Sequence, residues 1–269
     1  MKKIIDVKLI VADIDNTLVK KYGDVSEYTK EIISKARKQG ILFGIASGRP
    51  LYHCKELINK WNLETDFLIC NNGCNVYDYG TNKEYNFDFL KPEWCKEIIE
   101  LMKPFDANIM MYLEGKNVCS KQDEMVIHAG NVYHYDYLIV NDISYFYRDI
   151  EKLMFRLEED KMAYAEETIK KHPTKYYKGF RTQPIMLEFC SANVSKGKAL
   201  NFIGELNNID VDNMCAFGDT ENDEDMIEIA GYGVCMLNGS DSTKKIATYI
   251  TKEDCAHDGV GHFIEDNIL

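Results

Sequence analysis

Apolar and polar positions follow two rhythms along this chain. Lys8–Ala12 ("KLIVA") is a continuous aliphatic run, the pattern of a strand buried on both faces. Next, "SEYTKEIISKARKQG" sets Ile32, Ile33 and Ala36 on one helical face, with Ser26 as the start signal and Gly40 as the stop. Ile41–Ser47 predicts a second strand, Leu51–Trp61 a second helix and "DFLIC" a third strand. Alternation of this kind predicts a parallel sheet wound by right-handed crossovers.

After "NNG" the texture becomes hairpin-like, with Val76, Tyr79-Gly80, Tyr85, Phe87 and Phe89. Between about residues 87 and 186, helices (Pro92–Lys103, Glu151–Leu157, Ala163–Lys171) mix with short strands ("NIMMYLE", "VYHYDYL"). In the second of these, Tyr133, Tyr135 and Tyr137 would share one strand face, either a half-buried sheet face or a ligand lining. The first rhythm resumes at "IMLEFC". A helix over Ser195–Leu206, a strand over Asn213–Phe217, a helix around Asp223–Ala230, the strand "GYGVCM" and a terminal helix after Val260 follow. The fold class this predicts is α/β: a doubly wound, mainly parallel sheet in two parts, residues 1–86 and 187–269, split by an α+β insert over residues 87–186.

Composition narrows the function classes. The net charge of −12 over 269 residues argues against a nucleic-acid binder, which needs an excess of Lys and Arg. It leaves room for a small anionic substrate held by a few donors. Asp6 and Lys8 interrupt the apolar start before a signal-peptide core can form, and no run approaches the roughly 20 residues of a membrane span, so a cytoplasmic protein is expected. Nine cysteines, with no C-x-x-C pair, read as structural thiols of a reducing compartment. The oligomeric state does not follow from the sequence.

In open α/β sheets, functional groups gather at the carboxyl ends of the strands. Asp13 and Asp15 lie after the first strand, Ser47 and Gly48 after the second, and Asp219 after "CAF", with Asn222 and Asp223 beyond it; Lys196 opens a helix. Each signal is ambiguous alone. An Asp-x-Asp can be a turn, Ser47 an N-cap, Lys196 a surface lysine, and "TENDED" an acidic helix start. A calcium loop fails at Leu18 and Asp24, and a P-loop at Ala192 and Ala199. The chemistry compatible with the set is a carboxylate nucleophile with a nearby acid/base, and hard oxygens suited to Mg²⁺.

Taken together, "DIDNTL", "ASGRP", "NNG", "VSKGKAL", "GDTENDEDM" and "HDGVGHFI" resemble the haloacid dehalogenase superfamily of hydrolases, most closely its Cof-type sugar-phosphatase branch. That resemblance implies an α/β cap in the insert that closes over the site and selects a small phosphorylated metabolite. It implies that Asp13 is the nucleophile and Asp15 the acid/base. It further implies that Ser47, Lys196, the amides of Ile14 and Gly48, and Asn222 bind phosphate. Mg²⁺ would be held by Asp13, the Asp15 carbonyl and Asp219, with Asp223 completing the metal site by ordering a bound water. Halide leaves without a proton, so Asp15 favours an alcohol leaving group and hence a phosphate ester. A phosphomutase and a non-catalytic phosphometabolite binder are the alternatives. Two residues depart from the branch's pattern. Asn16 and Asn193 stand where glycine is common, and Asn tolerates the left-handed backbone a glycine would have supplied.

Overall fold

The computed structural model describes residues 6–20, 23–133 and 137–269. Elements follow in chain order. The first stretch holds β1 (Leu9–Asp13), α1 (Glu27–Lys38), β2 (Leu42–Ala46), α2 (Leu51–Trp61), β3 (Phe67–Cys70), β4 (Asn75–Asp78) and β5 (Lys83–Asn86). The second holds α3 (Pro92–Met102), β6 (Asn108–Leu113), β7 (Lys116–Cys119), α4 (Glu124–Tyr133), β8 (Tyr137–Ile139), β9 (Lys152–Arg156), α5 (Glu159–Lys171), β10 (Tyr177–Gln183) and β11 (Met186–Ser191). The last holds α6 (Lys196–Asn207), β12 (Met214–Gly218), α7 (Glu224–Ile229), β13 (Tyr232–Cys235), α8 (Asp241–Ile246), β14 (Tyr249–Ile250) and α9 (Gly259–Asn267).

Two compact units result: residues 1–87 with 195–269, and residues 88–194. The first is built on an eight-stranded sheet in the order β14-β13-β12-β1-β2-β3-β4-β5. Its strands run parallel from β14 to β3, and β4 and β5 are antiparallel additions. The residues of β1 alternate between two cores. Ile10 and Ala12 join the cluster with Ile32, Ile33 and Phe263, whereas Leu9 and Val11 join Leu200, Ile203 and Met226. Both faces are therefore covered by helices, which is why this strand is apolar throughout. Each fully buried Leu, Ile or Val contributes about 1.5–3 kcal/mol.

Helix α1 starts where Ser26 Oγ accepts from Thr29 N at 3.0 Å. It is fastened to α9 by Asp258, whose Oδ1 accepts from Ser26 Oγ at 2.5 Å and Thr29 Oγ1 at 2.9 Å. Gly40 ends the α1 segment at φ +85°, in the left-handed region. Apart from "IMLEFC", the expected elements of this unit recur within a residue or two.

The second unit carries a six-stranded sheet in the order β10-β11-β9-β6-β7-β8, antiparallel except for β7–β8. One face packs Leu153, Phe155, Leu187 and Phe189 against Ile98 and Met102 of α3 and Met162 of α5. Three expectations are corrected in this unit. Glu151–Leu157, read as a helix, contains β9: Leu153 and Phe155 face the helices while Lys152, Met154 and Arg156 take the other side. "IMLEFC", read as part of the first sheet, is β11 and pairs with β9 and β10, so this unit extends to Val194 instead of ending at 186. The tyrosine strand is not one strand. Tyr133 closes α4 and Tyr137 opens β8, and His134, Tyr135 and Asp136 lie outside the described residues.

No helix among the described residues is long and apolar enough to cross a membrane. Eight of the nine cysteines are buried, and Cys255 is half-buried.

Candidate active site

The strand order reverses at β1. From it the chain moves outward to β2 and β3, and later returns to place β12, β13 and β14 on the other side. The crevice beyond the carboxyl ends of β1 and β12 is thus the topological switch point of the sheet. Parallel pairing of Ala12 with Phe217 brings Asp13 and the Gly218-Asp219 step to the same edge.

Asp13 is the last residue of β1 and is buried. The chain then turns sharply: Leu18 N donates to Asp13 O at 3.1 Å, Val19 N to Ile14 O at 3.0 Å and Asn16 N to Val19 O at 2.7 Å. Asn16 adopts φ +63°, the left-handed geometry expected at that position. Asn193 is not among the left-handed residues, so the same argument does not apply there.

Lys196, the first residue of α6, is completely buried. Its Nζ donates to Asp13 Oδ1 and to Asp223 Oδ1, both at 2.6 Å. Ser195 caps the helix, accepting from Lys198 N at 3.0 Å, and so fixes where the lysine enters. The other oxygen of Asp223, Oδ2, accepts from the backbone N–H groups of Asp219 at 3.0 Å and Thr220 at 3.2 Å. Asp219 Oδ1 accepts from Thr17 Oγ1 at 3.1 Å. One carboxylate oxygen from each of Asp13, Asp219 and Asp223 lies within 4.8 Å of the others.

The electrostatics follow from one ammonium facing three buried carboxylates. Burial pushes Asp13 up to about 8; Lys196 opposes this, and Asp223 and Asp219 reinforce it. Asp219 is raised to about 6, first by burial and then by the charge of Asp223, against the Thr17 hydrogen bond and Lys196. Burial works against the charge on Lys196, but Asp13 and Asp223 outweigh it and hold the ammonium protonated above its ordinary range. The surplus of negative charge among hard oxygen donors is the chemistry of a divalent-cation site, and the donor set fits such an ion.

Asp15 is part-exposed and does not join that cluster. Its two oxygens accept from Arg49 Nε at 2.9 Å and Nη2 at 2.8 Å, a two-pronged pair. Ser47 is buried beyond β2; its N–H donates to Ile69 O at 2.8 Å and its Oγ accepts from Arg49 N at 3.2 Å. Gly48 lies against the Asn72 side chain. The side chain of Asn222 is exposed and bonded to its surroundings, with Oδ1 accepting from Thr220 Oγ1 at 2.7 Å and Nδ2 donating to Asn72 Oδ1 at 3.4 Å. Ile14 is buried beside Asp13. Asp13, Lys196, Asp219 and Asp223 are thus brought into contact, while Asp15, Ser47 and Asn222 are engaged with other partners.

Arg49, Thr17 and Asn72 lie within "ASGRP", "DIDNTL" and "NNG", yet no role for them follows from the sequence alone. An arginine within a motif that supplies a serine, and a threonine two residues after an aspartate, were the available signals.

The sequence pattern of the haloacid dehalogenase-like hydrolases matches residues 10–264. The 5-amino-6-(5-phospho-D-ribitylamino)uracil phosphatase YwtE of Bacillus subtilis is 26% identical, covering 96% of this chain and 97% of its own. A haloacid dehalogenase-like hydrolase from Bacteroides thetaiotaomicron superposes with a TM-score of 0.85 at 26% identity, covering 97% of this chain and 99% of that one. A crystal structure from Thermotoga maritima gives 0.86 at 27% identity, with 98% of each chain covered.

Proposed function

Because the chain belongs to the haloacid dehalogenase-like hydrolases, we propose that it is a Mg²⁺-dependent phosphatase of small phosphorylated metabolites, sugar phosphates foremost. The observation that carries this reading is the buried contact of Lys196 with Asp13 and Asp223 beside Asp219 at the switch point. A relative named for a phosphorylated ribityl compound supports a sugar or polyol ester as the substrate class.

In this mechanism Asp13 attacks phosphorus, the ester P–O bond breaks, and an aspartyl-phosphate forms. Asp15 gives its proton to the departing alkoxide. It then takes a proton from the water that attacks the aspartyl-phosphate, releasing inorganic phosphate and restoring Asp13. Lys196 neutralises charge on the transferring oxygens, and Ser47, Asn222 and the amides of Ile14 and Gly48 bind them. Division into two displacements through a carboxylate replaces one difficult step by two easier ones, and the rest is positioning and charge neutralisation. Asp13, Asp219 and the Asp15 carbonyl would hold Mg²⁺, with Asp223 ordering a water bound to it. When bound, the ion supplies charge neutralisation for a dianionic phosphoryl group that would otherwise meet a net negative cluster. Arg49 holds Asp15 in one orientation.

The test is phosphate release from a panel of phosphate esters with and without Mg²⁺, on wild type and Asp13→Asn. Wild type is expected to release phosphate only with the metal, and Asp13→Asn to fall to background. Full activity in Asp13→Asn would refute the mechanism. Activity that requires a bisphosphate activator and releases little phosphate would point to a phosphomutase.

A further inference from the structure

The "NNG" segment that follows β3 has not been used by the mechanism, yet its backbone is unusual. Asn71, Asn72 and Gly73 are three consecutive left-handed residues, at φ +48°, +57° and +103°. A tight turn between antiparallel strands needs two such residues at most. Left-handed geometry at a non-glycine residue persists where surrounding contacts hold it, and it concentrates at functional sites.

Those contacts run to three separate segments of the candidate site. Asn71 N donates to Arg49 O at 2.9 Å and Asn72 N donates to Ser47 O at 3.0 Å, so the turn is tied on both sides of Gly48. A Cβ at Gly48 would stand 3.2 Å from Asn72 Oδ1 and 3.4 Å from its Nδ2, so the carboxamide lies directly against the Gly48 backbone. The same Oδ1 accepts from Asn222 Nδ2 at 3.4 Å. One residue on, a Cβ at Gly73 would fall 2.1 Å from Ser195 O and 3.1 Å from Lys196 N, so the turn abuts the start of α6. The segments after β2, before α6 and after β12 are far apart in sequence and meet on these three residues.

We propose that Asn72 is a positioning residue for phosphoryl binding, its carboxamide wedged between the Gly48 backbone and the Asn222 side chain. It fixes the spacing of the two donors that face one phosphoryl group. The proposal rests on the phosphatase reading, because Gly48 and Asn222 are phosphate ligands only within it. Asparagine suits a left-handed turn on conformational grounds alone, so the assignment rests on where the carboxamide lies, against Gly48 and bonded to Asn222.

Asn72→Gly keeps the left-handed turn at no steric cost and removes the carboxamide, which separates the two accounts. Wild type and variant are compared in kcat/KM for p-nitrophenyl phosphate, in Ki for orthovanadate, a mimic of the five-coordinate transition state, and in Tm, all with Mg²⁺. The expected result is a loss of about tenfold in both kcat/KM and vanadate affinity, the scale of one misaligned hydrogen-bonding group, with Tm nearly unchanged. Asn72→Asp keeps an acceptor for Asn222 but puts a negative charge beside an anion site. It is expected to lose more, and to regain part of the loss at high salt. A wild-type Ki in Asn72→Gly overturns the proposal, and so does a lowered Tm with Ki unchanged. A wild type that neither turns over the ester nor binds vanadate overturns the phosphatase reading as well. An active wild type beside an unaffected Asn72→Gly overturns this proposal alone.

Discussion

Lys196 touches Asp13 and Asp223, and Asp219 adds a third carboxylate that a single ammonium does not neutralise. Burial of these carboxylates, reinforced by their mutual repulsion, gives a pH dependence opposite to that of a carboxylate held below its ordinary range by an ion pair. In the unfolded chain Asp13 titrates near its ordinary 3.8, but in the fold near 8. Between those values the native state binds the extra proton, so its contribution to stability is full below about pH 4 and is lost as pH rises toward 8. Asp219, raised to about 6, acts in the same direction over a narrower window. Without divalent cations, Tm is therefore expected to fall from pH 5 to 8. Mg²⁺ should reverse the fall, because the cation displaces the protons and binds more tightly as pH rises. Scanning calorimetry with EDTA and with Mg²⁺ across this range checks both signs. A flat metal-free Tm would contradict the assignment. The residues of the cluster were legible in the sequence because each sits at the end of an apolar strand or the start of a helix. Arg49 was not, because its partner Asp15 lies 34 positions away and only the pairing of β1 with β2 brings them together.

At the level of elements, the approach of α6 to α7 decides whether Lys196 reaches Asp223. Gly197, in the first turn of α6, permits it: a Cβ there would stand 2.6 Å from Asp225 O. In an exposed helix, Gly→Ala is stabilising by up to about 1 kcal/mol. Here Gly197→Ala should destabilise by about 1–3 kcal/mol, the cost of overpacking, and should lower kcat along with Tm by moving Lys196 away from Asp223. Thermal melts and steady-state kinetics on the one variant check both parts.

Elements of the first unit were readable because β1, β3 and β12 are buried along their whole length and its helices carry caps such as Ser26 and Ser195. Those of the second unit were less so. β9 is composed of Lys, Leu, Met, Phe and Arg, mostly good helix formers, and only its pairing with β6 and β11 makes it a strand. β11 is apolar enough to pass for a strand of a parallel sheet, and nothing local says which sheet it joins.

Across the whole molecule, the hydrophobic clusters of the described residues divide as the two units do. Those around β1 draw only on residues before 88 or after 194, and those around β9 only on residues between. Each unit thus has a core of its own, the condition for independent folding. Residues 88–194 expressed alone are expected to melt in one cooperative transition, followed by circular dichroism; a non-cooperative, gradual melt would refute this.

The cysteines divide along the same line. Cys54, Cys70, Cys74, Cys215 and Cys235 are buried in the first unit, and Cys95, Cys119 and Cys190 in the second. Burial pushes Cys95 up to about 12 and Cys119 and Cys190 up to about 11, so the reactive thiolate is scarce while the fold is closed. Because a reagent in solution does not reach a thiol inside the core, each buried one is a chemical clock for the opening of the region around it. The order in which an alkylating reagent marks them would reveal which half of the protein lets go first.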